Sequence, residues 1–419
     1  MIFACVDVGS TFTKAVVVDD GGRLLAAADH PTTSDGDVLV GLDNAVKATG
    51  VEPDRVLACS SAGGGLRLAV VGYERLVTAQ AGYRVGLSAG AKVVHVAAGK
   101  LDAQGLSDLR QRKPDVVMLV GGADGGDRET ILHNARRLAR LRVPVVAAGN
   151  ADAAPEIEQI LPRAVVTGNV LPAIGKLDPG PARAAIREVF LKHVIGGKRL
   201  SKGPRFARLV KGATPDLVLN GVELLATRIT GDLLVVDVGG ATTDVYSVLK
   251  NLDAGDTGEV AGVLAHARSV EGDLGMRWSS PGVVEAALKE KLIDEPMSTV
   301  TDPAIAEFGT DERIAELAVT IALRRHARGE PLEPGGPRRG GRDLRAVELV
   351  VGSGGVLRHR DAAEARDILD RALSDHPGGW TLPRSPKVVI DSSYVLAAAG
   401  LLADAHREVA VSLLECALT

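Results

Sequence analysis

Short runs of apolar and β-branched residues, separated by glycine-rich turns, open the chain. Three such runs span residues 2–8, 14–19 and 23–28, and their spacing predicts an antiparallel meander. An apolar-periodic stretch over residues 35–49 predicts a helix, and a further strand is expected over 55–59. The chain therefore begins as a mixed α/β unit.

Beyond residue 66 the pattern changes to an alternation of apolar strands with amphipathic stretches. Helices are predicted over 102–112, 128–140 and 155–161, between strands over 92–97, 115–120, 143–147 and 164–166. Such alternation calls for a mostly parallel sheet covered by helices. We interpret residues 66–166 as an α/β insertion within a first domain that extends over residues 1–230.

The second half of the chain repeats the opening pattern. Runs at 233–238 and 243–249 restate the first hairpin, so a second domain is predicted over residues 231–419. Residues 329–345 are packed with Pro, Gly and Arg, offer little to bury and predict a flexible loop. The remaining apolar periods predict strands over 347–351 and 387–390 and helices over 181–194, 215–228, 281–291, 312–328, 362–373 and 393–418.

Composition and charge exclude several functional classes. Lys+Arg 49 against Asp+Glu 53 gives a formal net charge of −4, and aromatic residues make up only 3% of the chain. Such a chain has neither the positive field nor the stacking platforms of a nucleic-acid binder. Cys5, Cys59 and Cys416 lie too far apart in sequence for a disulfide framework or a cysteine-held metal site. No secretory signal and no apolar run of spanning length is evident, so a cytoplasmic protein without membrane segments is expected.

Three glycine-rich turns follow apolar strands directly. They read DVGSTFTK over residues 7–14, DVGGATTD over 237–244 and VGSGG over 351–355. In the first two, small residues let the backbone approach closely, so that N–H and hydroxyl groups can point at phosphate oxygens. The aspartate that closes each strand stands where a magnesium ion bridging those phosphates needs an oxygen ligand.

One such turn alone is more simply an ordinary tight hairpin turn, for which glycine is the default residue. Three in order, with one phosphate-type hairpin in each half of the chain, favour a nucleotide held between the halves. This arrangement resembles the superfamily of actin, heat-shock chaperones and sugar kinases. The resemblance implies an α/β protein with two ribonuclease-H-like lobes of the actin-like ATPase fold, clamping ATP, and with the α/β insertion in the first lobe.

The resemblance also assigns roles by position. The phosphates of ATP would be cradled on the first lobe by Gly9, Ser10, Thr11 and Thr13, and on the second by Gly239, Gly240, Ala241, Thr242 and Thr243. The third turn would pass beside the adenosine at Gly352, Gly354 and Gly355. The superfamily commonly has glycine where this chain has Ala241. The methyl group leaves less room for a phosphate to approach the backbone, but the N–H group is kept.

Charged residues complete the implied site. Asp7 and Asp237 are expected to bind Mg²⁺ and, together with Asp244, to form the catalytic set. Asp244 is expected to orient the attacking water or a substrate hydroxyl. Lys14 either partners the terminal phosphates or points to solvent from its strand, and the pattern leaves both interpretations open.

Longer segments narrow the resemblance to one family. They read PDVVMLVGGADGGD at 114–127, VPVVAAGNADA at 143–153, TGNVLPAIGKLDP at 167–179 and SVEGDLGMR at 269–277. They are similar to the accessory-protein family of glutamate mutase, called GlmL or MutL and unrelated to the mismatch-repair protein of that name. The resemblance implies an ATP-binding and ATP-hydrolysing chaperone that reactivates an adenosylcobalamin-dependent mutase, such as methylaspartate (glutamate) mutase.

Other functions stay open beside this one. A small-molecule kinase of the same fold and a subunit of a hydantoinase or ATP-dependent carboxylase share the hairpin type. Activators of radical dehydratases are disfavoured by the lack of a suitable cysteine pair. The same fold is also compatible with a filament-forming protein and with a homo-oligomer.

Three further features have two interpretations each. Residues 121–127 either line the cleft or form a tight turn with Asp127 as a helix N-cap, and residues 60–65 are equally ambiguous. Glu271 and Asp273 either meet magnesium or ribose, or belong to a solvated turn. The nine His residues form no ligand cluster, so no zinc site is predicted.

Overall fold

The computed structural model describes residues 1–62, 65–195, 200–250, 261, 264–297, 312–331 and 338–419. The chain begins as predicted, with an antiparallel meander, a helix and a fourth strand. These elements are β1 (Ile2–Val8), β2 (Phe12–Asp19), β3 (Leu24–Pro31), α1 (Val38–Ala48) and β4 (Arg55–Ser60). The Asp37 carboxylate accepts the Leu39 N–H at 2.9 Å and caps α1 at its start.

The insertion follows as a separate parallel sheet with its own helices. Its elements are β5 (Leu66–Gly72), α2 (Gln80–Ser88), β6 (Ala91–Ala98), α3 (Ala103–Gln111), β7 (Val116–Leu119), α4 (Glu129–Leu138), β8 (Val145–Ala147), α5 (Ala154–Ile160) and β9 (Val165–Val166). The strand order is β6-β5-β7-β8-β9, with every pair parallel. The periodicity missed β5 and α2.

The chain then returns to the first sheet and crosses to the second half. The connecting elements are α6 (Gly180–Val189), α7 (Arg205–Leu209), β10 (Val210–Ala213) and α8 (Thr214–Ala226). Strand β10 pairs with β4 and completes the first sheet. Helix α8 leaves this sheet and leads directly to the repeated hairpin.

The second half contains the repeated sheet and its helices. In chain order these are β11 (Asp232–Val238), β12 (Thr243–Val248), β13 (His266–Glu271), α9 (Ser280–Lys289), α10 (Glu312–Arg328), β14 (Glu330–Pro331), β15 (Arg338–Arg339), β16 (Val347–Ser353), α11 (Gly355–Arg358), α12 (Ala362–Leu373), β17 (Lys387–Ile390), α13 (Val395–Leu402) and α14 (Arg407–Leu418).

The C-terminal helices and the segment predicted as a flexible loop differ from the sequence prediction or lie partly outside the described residues. The prediction of a single helix over 393–418 is wrong. The structure has two helices, α13 and α14, because the helix is interrupted before His406. The centre of the His406 ring lies 4.4 Å from that of the Phe3 ring in β1. Of the segment predicted as a flexible loop, residues 332–337 lie outside the described residues. Its flanks form the two-stranded pair β14–β15, in which Glu330 is buried.

The two main sheets have the same topology. The first runs β10-β4-β1-β2-β3 and the second β17-β16-β11-β12-β13. In each, three antiparallel strands are followed by two strands that add in parallel at the other side of the first strand. The chain thus has two ribonuclease-H-like lobes of the actin-like ATPase fold, with the α/β insertion in the first, as predicted.

Helices α8 and α13 lie between the two lobes and form the core there. They pack against Phe3 and Cys5 of the first sheet and against Val235 and Val351 of the second. The helices cross in close contact at Gly221 and Gly400. A side chain on either glycine would collide with a backbone carbonyl of the opposite helix. The lobes are therefore joined through a helix crossing that leaves no room for a methyl group.

Among the described residues, no helix combines the length and the apolar character that a bilayer crossing requires.

Candidate functional site

The β1–β2 and β11–β12 hairpins close in the same way. The Gly9 N–H donates to the Phe12 carbonyl at 3.1 Å, and the Gly239 N–H donates to the Thr242 carbonyl at 2.9 Å. A Cβ on Gly9 would lie only 2.7 Å from the Phe12 oxygen, so the turn requires glycine there. Each turn leaves its two middle residues beyond the last paired positions of the strands.

The strand register places one aspartate at the same position in each hairpin but gives it a different neighbour. Asp7 pairs across the strands with Lys14, whereas Asp237 pairs with Asp244. The first hairpin therefore presents a cation beside its carboxylate, and the second presents two carboxylates. The duplicated geometry carries opposite charges at the matching position.

The two hairpins approach the same residue of the second lobe. Arg277 follows β13, and its N–H donates to the Gly240 carbonyl at 2.7 Å. The guanidinium carbon of the same residue lies 5.8 Å from the centre of the Phe12 ring in the first hairpin. One second-lobe residue thus contacts both turns, which are separated by more than 200 positions in the sequence.

Asp7 is a buried carboxylate surrounded by donors. Its side chain is 3% exposed, and Oδ1 accepts from the Thr214 hydroxyl at 2.5 Å and from the Cys59 thiol at 3.6 Å. Oδ2 lies 3.3 Å from Lys14 Nζ. Because a buried polar group requires hydrogen-bonding partners, these three groups together satisfy the Asp7 carboxyl group and hold it in position. Thr214 is the first residue of α8, and neither Thr214 nor Cys59 belongs to a sequence motif that predicts a contact with Asp7.

Lys14 points inward. Its Nζ lies between the Asp7 carboxylate and the Tyr394 ring, 3.9 Å from the ring centre. Of the two interpretations of this lysine, the one with the side chain in solvent is therefore wrong in this structure. Tyr394 has φ 60 and ψ 39, a left-handed conformation that is costly for a residue with a side chain. It stands just before α13, which the Asp391 carboxylate caps through the Val395 and Leu396 N–H groups.

The Asp237 carboxyl resists ionisation. Burial raises its pKa from 3.8 to about 6, with a further rise from the Asp244 and Asp7 charges, while Lys14 opposes the shift. Lys14 and Asp7 belong to the first lobe, so this interaction is a second indication that both hairpins face one site. A cation brought beside the Asp237 carboxyl group would stabilise its ionised form and so lower its pKa.

This pKa shift predicts a pH-dependent stability. Between about pH 4 and 6 the folded protein holds a proton that the unfolded chain has released, so stability falls as the pH rises through this window. In magnesium-free and nucleotide-free buffer, Asp237→Asn is expected to raise the free energy of unfolding at pH 7 by about 2–3 kcal/mol. Urea unfolding from pH 4 to 7 measures this gain, which should shrink towards zero at pH 4. The exposed Asp20→Asn is the control, and a gain of equal size at pH 4 and pH 7 would contradict the assignment.

Asp244 is held by a buried arginine. Its Oδ1 accepts from Arg268 Nε at 2.8 Å and Nη2 at 2.5 Å, and its Oδ2 accepts from the Thr242 hydroxyl at 3.1 Å. Arg268 lies on β13, an element that the periodicity did not predict. The orientation of this carboxylate is therefore set from two sides.

Two threonines predicted to cradle phosphate face the protein interior instead. Thr13 and Thr243 are fully buried. The Thr13 hydroxyl is hydrogen-bonded to that of Thr32 at 3.0 Å, and the Thr243 hydroxyl donates to the Leu274 carbonyl at 2.7 Å. Since both are the first residues paired after the turn, their side chains pack behind it. The expectation that these hydroxyls bind phosphate is corrected accordingly.

The third glycine turn divides into packing and cleft positions. A Cβ on Gly352 would lie 2.5 Å from the Leu369 side chain of α12, so this glycine serves helix packing rather than a ligand. Gly354 has φ 96 and lies against the Val238 backbone at the end of β11, where a side chain would collide. Gly355 follows it at the start of α11. Gly354 and Gly355 therefore lie beside the second hairpin. Gly352 lies in the core instead, which corrects its predicted place beside the adenosine.

The segment after β13 supports the second hairpin from behind. The Met276 N–H donates to the Gly239 carbonyl at 3.0 Å, and the Ser279 hydroxyl donates to the Ala241 carbonyl at 2.8 Å. Gly275 lies so close to Ala241 that any side chain would collide with its backbone. This contact explains why the segment 269–277 has a glycine at position 275: the turn that it supports leaves no room for a side chain.

The other ambiguous motifs have structural partners. Arg325 Nη1 donates to Glu271 and Asp273 at 2.8 Å each, and Arg338 Nη2 donates to Glu271 at 2.9 Å, so two arginines balance this acidic pair. Asp127 is the predicted N-cap of the following helix in one interpretation of residues 121–127, but the N-cap of α4 is Arg128; the Asp127 carboxylate accepts the Thr130 N–H of the first turn at 3.1 Å. Of the 60–65 segment, residues 63 and 64 lie outside the described residues.

The carboxylates at the cleft suit a magnesium ion that is also held by phosphates. Within the described ranges no group of three or more His, Cys, Asp or Glu side chains is placed to hold a metal ion by itself. Asp7 and Asp237 supply two carboxylates at one site, and Mg²⁺ is commonly bound by one or two carboxylates together with substrate phosphates. The chemistry of these two carboxylates is therefore compatible with Mg²⁺.

Comparison with known proteins gives one strong sequence match. The family described as MutL protein matches residues 3–418. Protein MutL of Clostridium tetanomorphum is 33% identical over 455 aligned residues, covering 99% of this chain and 98% of the relative.

Solved structures match with lower identity. Component A of (R)-2-hydroxyglutaryl-CoA dehydratase from Acidaminococcus fermentans is 10% identical, with a TM-score of 0.33 and coverage of 98% of this chain and 99% of that one. A ROK family glucokinase from Streptomyces griseus, in complex with glucose and AMPPNP, is 13% identical, with a TM-score of 0.32 and coverage of 100% and 99%. The ATP-dependent caprolactamase of Pseudomonas jessenii is 15% identical, with a TM-score of 0.38 and coverage of 96% and 70%.

Proposed function

The chain belongs to the MutL protein family, and from this premise we propose that it binds and hydrolyses Mg·ATP between its lobes as the accessory protein of an adenosylcobalamin-dependent mutase. Its role would be to reactivate the mutase by opening the complex so that damaged cobalamin can exchange. The observation that carries the nucleotide part is the approach of two matched hairpins to one residue, Arg277, which contacts both. The mutase part rests on the family.

The turns provide the phosphate contacts. Backbone N–H groups at successive turn residues form a concave donor surface that suits phosphate oxygens. In this proposal the contacts come from Gly9, Ser10 and Thr11 on the first lobe and from Gly239, Gly240, Ala241 and Thr242 on the second. Gly354 and Gly355, beside the second hairpin, lie where the adenosine would pass.

The charged side chains divide the remaining work. Asp7 and Asp237 would hold Mg²⁺, which neutralises charge on the phosphates during transfer. Lys14 is already placed between Asp7 and Tyr394 and would move a short distance to the terminal phosphate. Asp244, oriented by Arg268 and Thr242, would position the attacking water.

Binding would change the angle between the lobes. A nucleotide shifts a conformational equilibrium only by binding one state more tightly than the other. Here a triphosphate contacts both turns only when they approach, so ATP would favour a closed state and its hydrolysis would release that preference. Helices α8 and α13, which lie between the lobes, would transmit the change.

Calorimetry and ADP release test this proposal. Mg·ATP is expected to bind with a measurable heat, and a purified adenosylcobalamin-dependent mutase is expected to raise ADP release several-fold, as couplings between sites usually do. Gly9→Ala is expected to weaken binding because its Cβ would lie 2.7 Å from the Phe12 carbonyl. Gly36→Ala is the matched control, since nothing lies within 4 Å of its Cβ. Absence of heat would contradict nucleotide binding, and stoichiometric phosphorylation of a small metabolite would identify a kinase instead.

A further inference from the structure

The turn between α2 and β6 of the insertion contacts both halves of the candidate nucleotide site. It contains Ala89 and Gly90, and Gly90 has φ 75. On one side of this turn stands the start of α8, and on the other stands Arg268 of β13. Each of these neighbours is hydrogen-bonded to a carboxylate assigned above to the site.

The first contact leads to Asp7. A Cβ added to Gly90 would lie 2.7 Å from the Asp216 nitrogen in the first turn of α8. Two residues earlier, the Thr214 hydroxyl donates to Asp7 at 2.5 Å. Asp216 is itself buried and ion-paired with Arg187 at 2.6 Å, so the start of α8 is firmly placed. Displacement of the turn therefore acts directly on the helix end that fixes Asp7.

The second contact leads to Asp244. Arg268 uses Nε and Nη2 for the Asp244 carboxylate and Nη1 for the carbonyls of Leu87 and Ala91, at 3.3 and 3.5 Å. The guanidinium is buried, so loss of the carbonyl partners would leave N–H groups without compensation for their burial. Arg268 can therefore hold Asp244 in this geometry only while the Leu87 and Ala91 carbonyls stay in their present position.

The insertion is also fixed to the second lobe, although it is part of the first lobe in sequence. Arg84 of α2 lies 3.4 Å from the Glu330 carboxylate, and Glu330 is also paired with Arg342. All three side chains are buried. Separating a buried ion pair is costly because it leaves a buried charge without compensation. The insertion should therefore move together with the second lobe when the angle between the lobes changes.

We propose that Arg268 is a positioning residue for Asp244 and that it acts through the seating of residues 87–91, so that ATP turnover depends on the position of the insertion. This inference rests on the proposed function, since it assumes that Asp244 and Asp7 act on a bound nucleotide. A partner that binds the insertion would then control turnover without touching the nucleotide. In turn, closure of the lobes on ATP would press the α2–β6 turn against α8.

Two variants and one matched control test the inference. Arg268→Lys keeps the charge but cannot bridge a carboxylate and two carbonyls, and Gly90→Ala displaces the turn from Asp216. Each is expected to lower kcat about tenfold, a usual size for coupling between sites, with KM for Mg·ATP changed less than threefold. Gly99→Ala introduces the same positive-φ strain (φ 86 against 75) with nothing within 4 Å, and it should behave as wild type.

Hydrogen exchange provides the second measurement. Mg·ATP is expected to slow amide exchange in residues 87–91 of the wild type and of Gly99→Ala, and to have a much smaller effect in Gly90→Ala and Arg268→Lys. The inference would be overturned, with the proposed function intact, if Gly90→Ala and Arg268→Lys both kept the wild-type kcat and both showed the wild-type slowing of exchange by Mg·ATP in residues 87–91. A wild type that neither binds nor hydrolyses ATP would instead contradict the proposed function. If Gly90→Ala fails to fold, Arg268→Lys alone decides the matter.

Discussion

Asp7→Asn is expected to lower Mg·ATP turnover by at least about 100-fold, the scale on which loss of one preorganised electrostatic group acts at a catalytic centre. The substitution keeps the size of the side chain and an oxygen that can accept from Thr214. It removes the charge that Lys14 faces at 3.3 Å and that the proposal assigns to magnesium. Turnover should therefore fall much further than stability.

Steady-state ADP release and thermal unfolding, measured on the same preparation, check this result. Asp20→Asn is the control, because Asp20 is exposed and pairs with the amino terminus, and such surface pairs contribute little to stability. The control should keep wild-type turnover. A folded Asp7→Asn protein with turnover within threefold of the wild type would remove Asp7 from the catalytic set.

Gly400→Ala is expected to lower the free energy of unfolding by about 3 kcal/mol or more, the upper range for overpacking a tight core. Its Cβ would collide with the Leu217 carbonyl of α8, and the Gly400 backbone faces Gly221 across the crossing. Because both are interior helix positions, the new methyl can be accommodated only if α8 and α13 separate. That movement would displace Thr214 and Tyr394, which precede or begin these helices.

Urea unfolding measures the loss, and Gly36→Ala, whose Cβ meets nothing within 4 Å, is the control. Gly221→Ala is expected to act in the same direction because it would collide with the Leu396 carbonyl. If Gly400→Ala were as stable as the control, the close crossing of α8 and α13 would be wrong.

Local signals in the sequence were enough for the two hairpins. The strands of each hairpin are adjacent in sequence, and the glycine that each turn needs stands between them, so the Asp7 and Asp237 turns could be recognised and paired. The same local logic predicted most of the insertion sheet. It failed where side-chain direction matters, as for Thr13, Thr243 and Gly352, which face the interior because of strand alternation and helix packing rather than composition.

Residues that support the site from a distance gave no such signal. Thr214 lies 207 positions from Asp7, and Tyr394 reaches Lys14 from just before the last pair of helices. Arg268 lies on a strand that the periodicity did not reveal. The contacts of these residues arise from the way the two lobes meet, and a single sequence contains no periodicity for an encounter of that kind.

The unlike residues opposite the two cleft aspartates have an evolutionary consequence. A symmetric dimer built from two copies of the first half would set lysine against lysine across a shared ligand, and one built from the second half would crowd four acidic groups together. Two identical halves therefore could not give the proposed triphosphate site two chemically distinct ends, whereas the unlike halves of this chain can. A gene duplication that kept both copies identical could have produced this architecture, but not a centre with distinct ends.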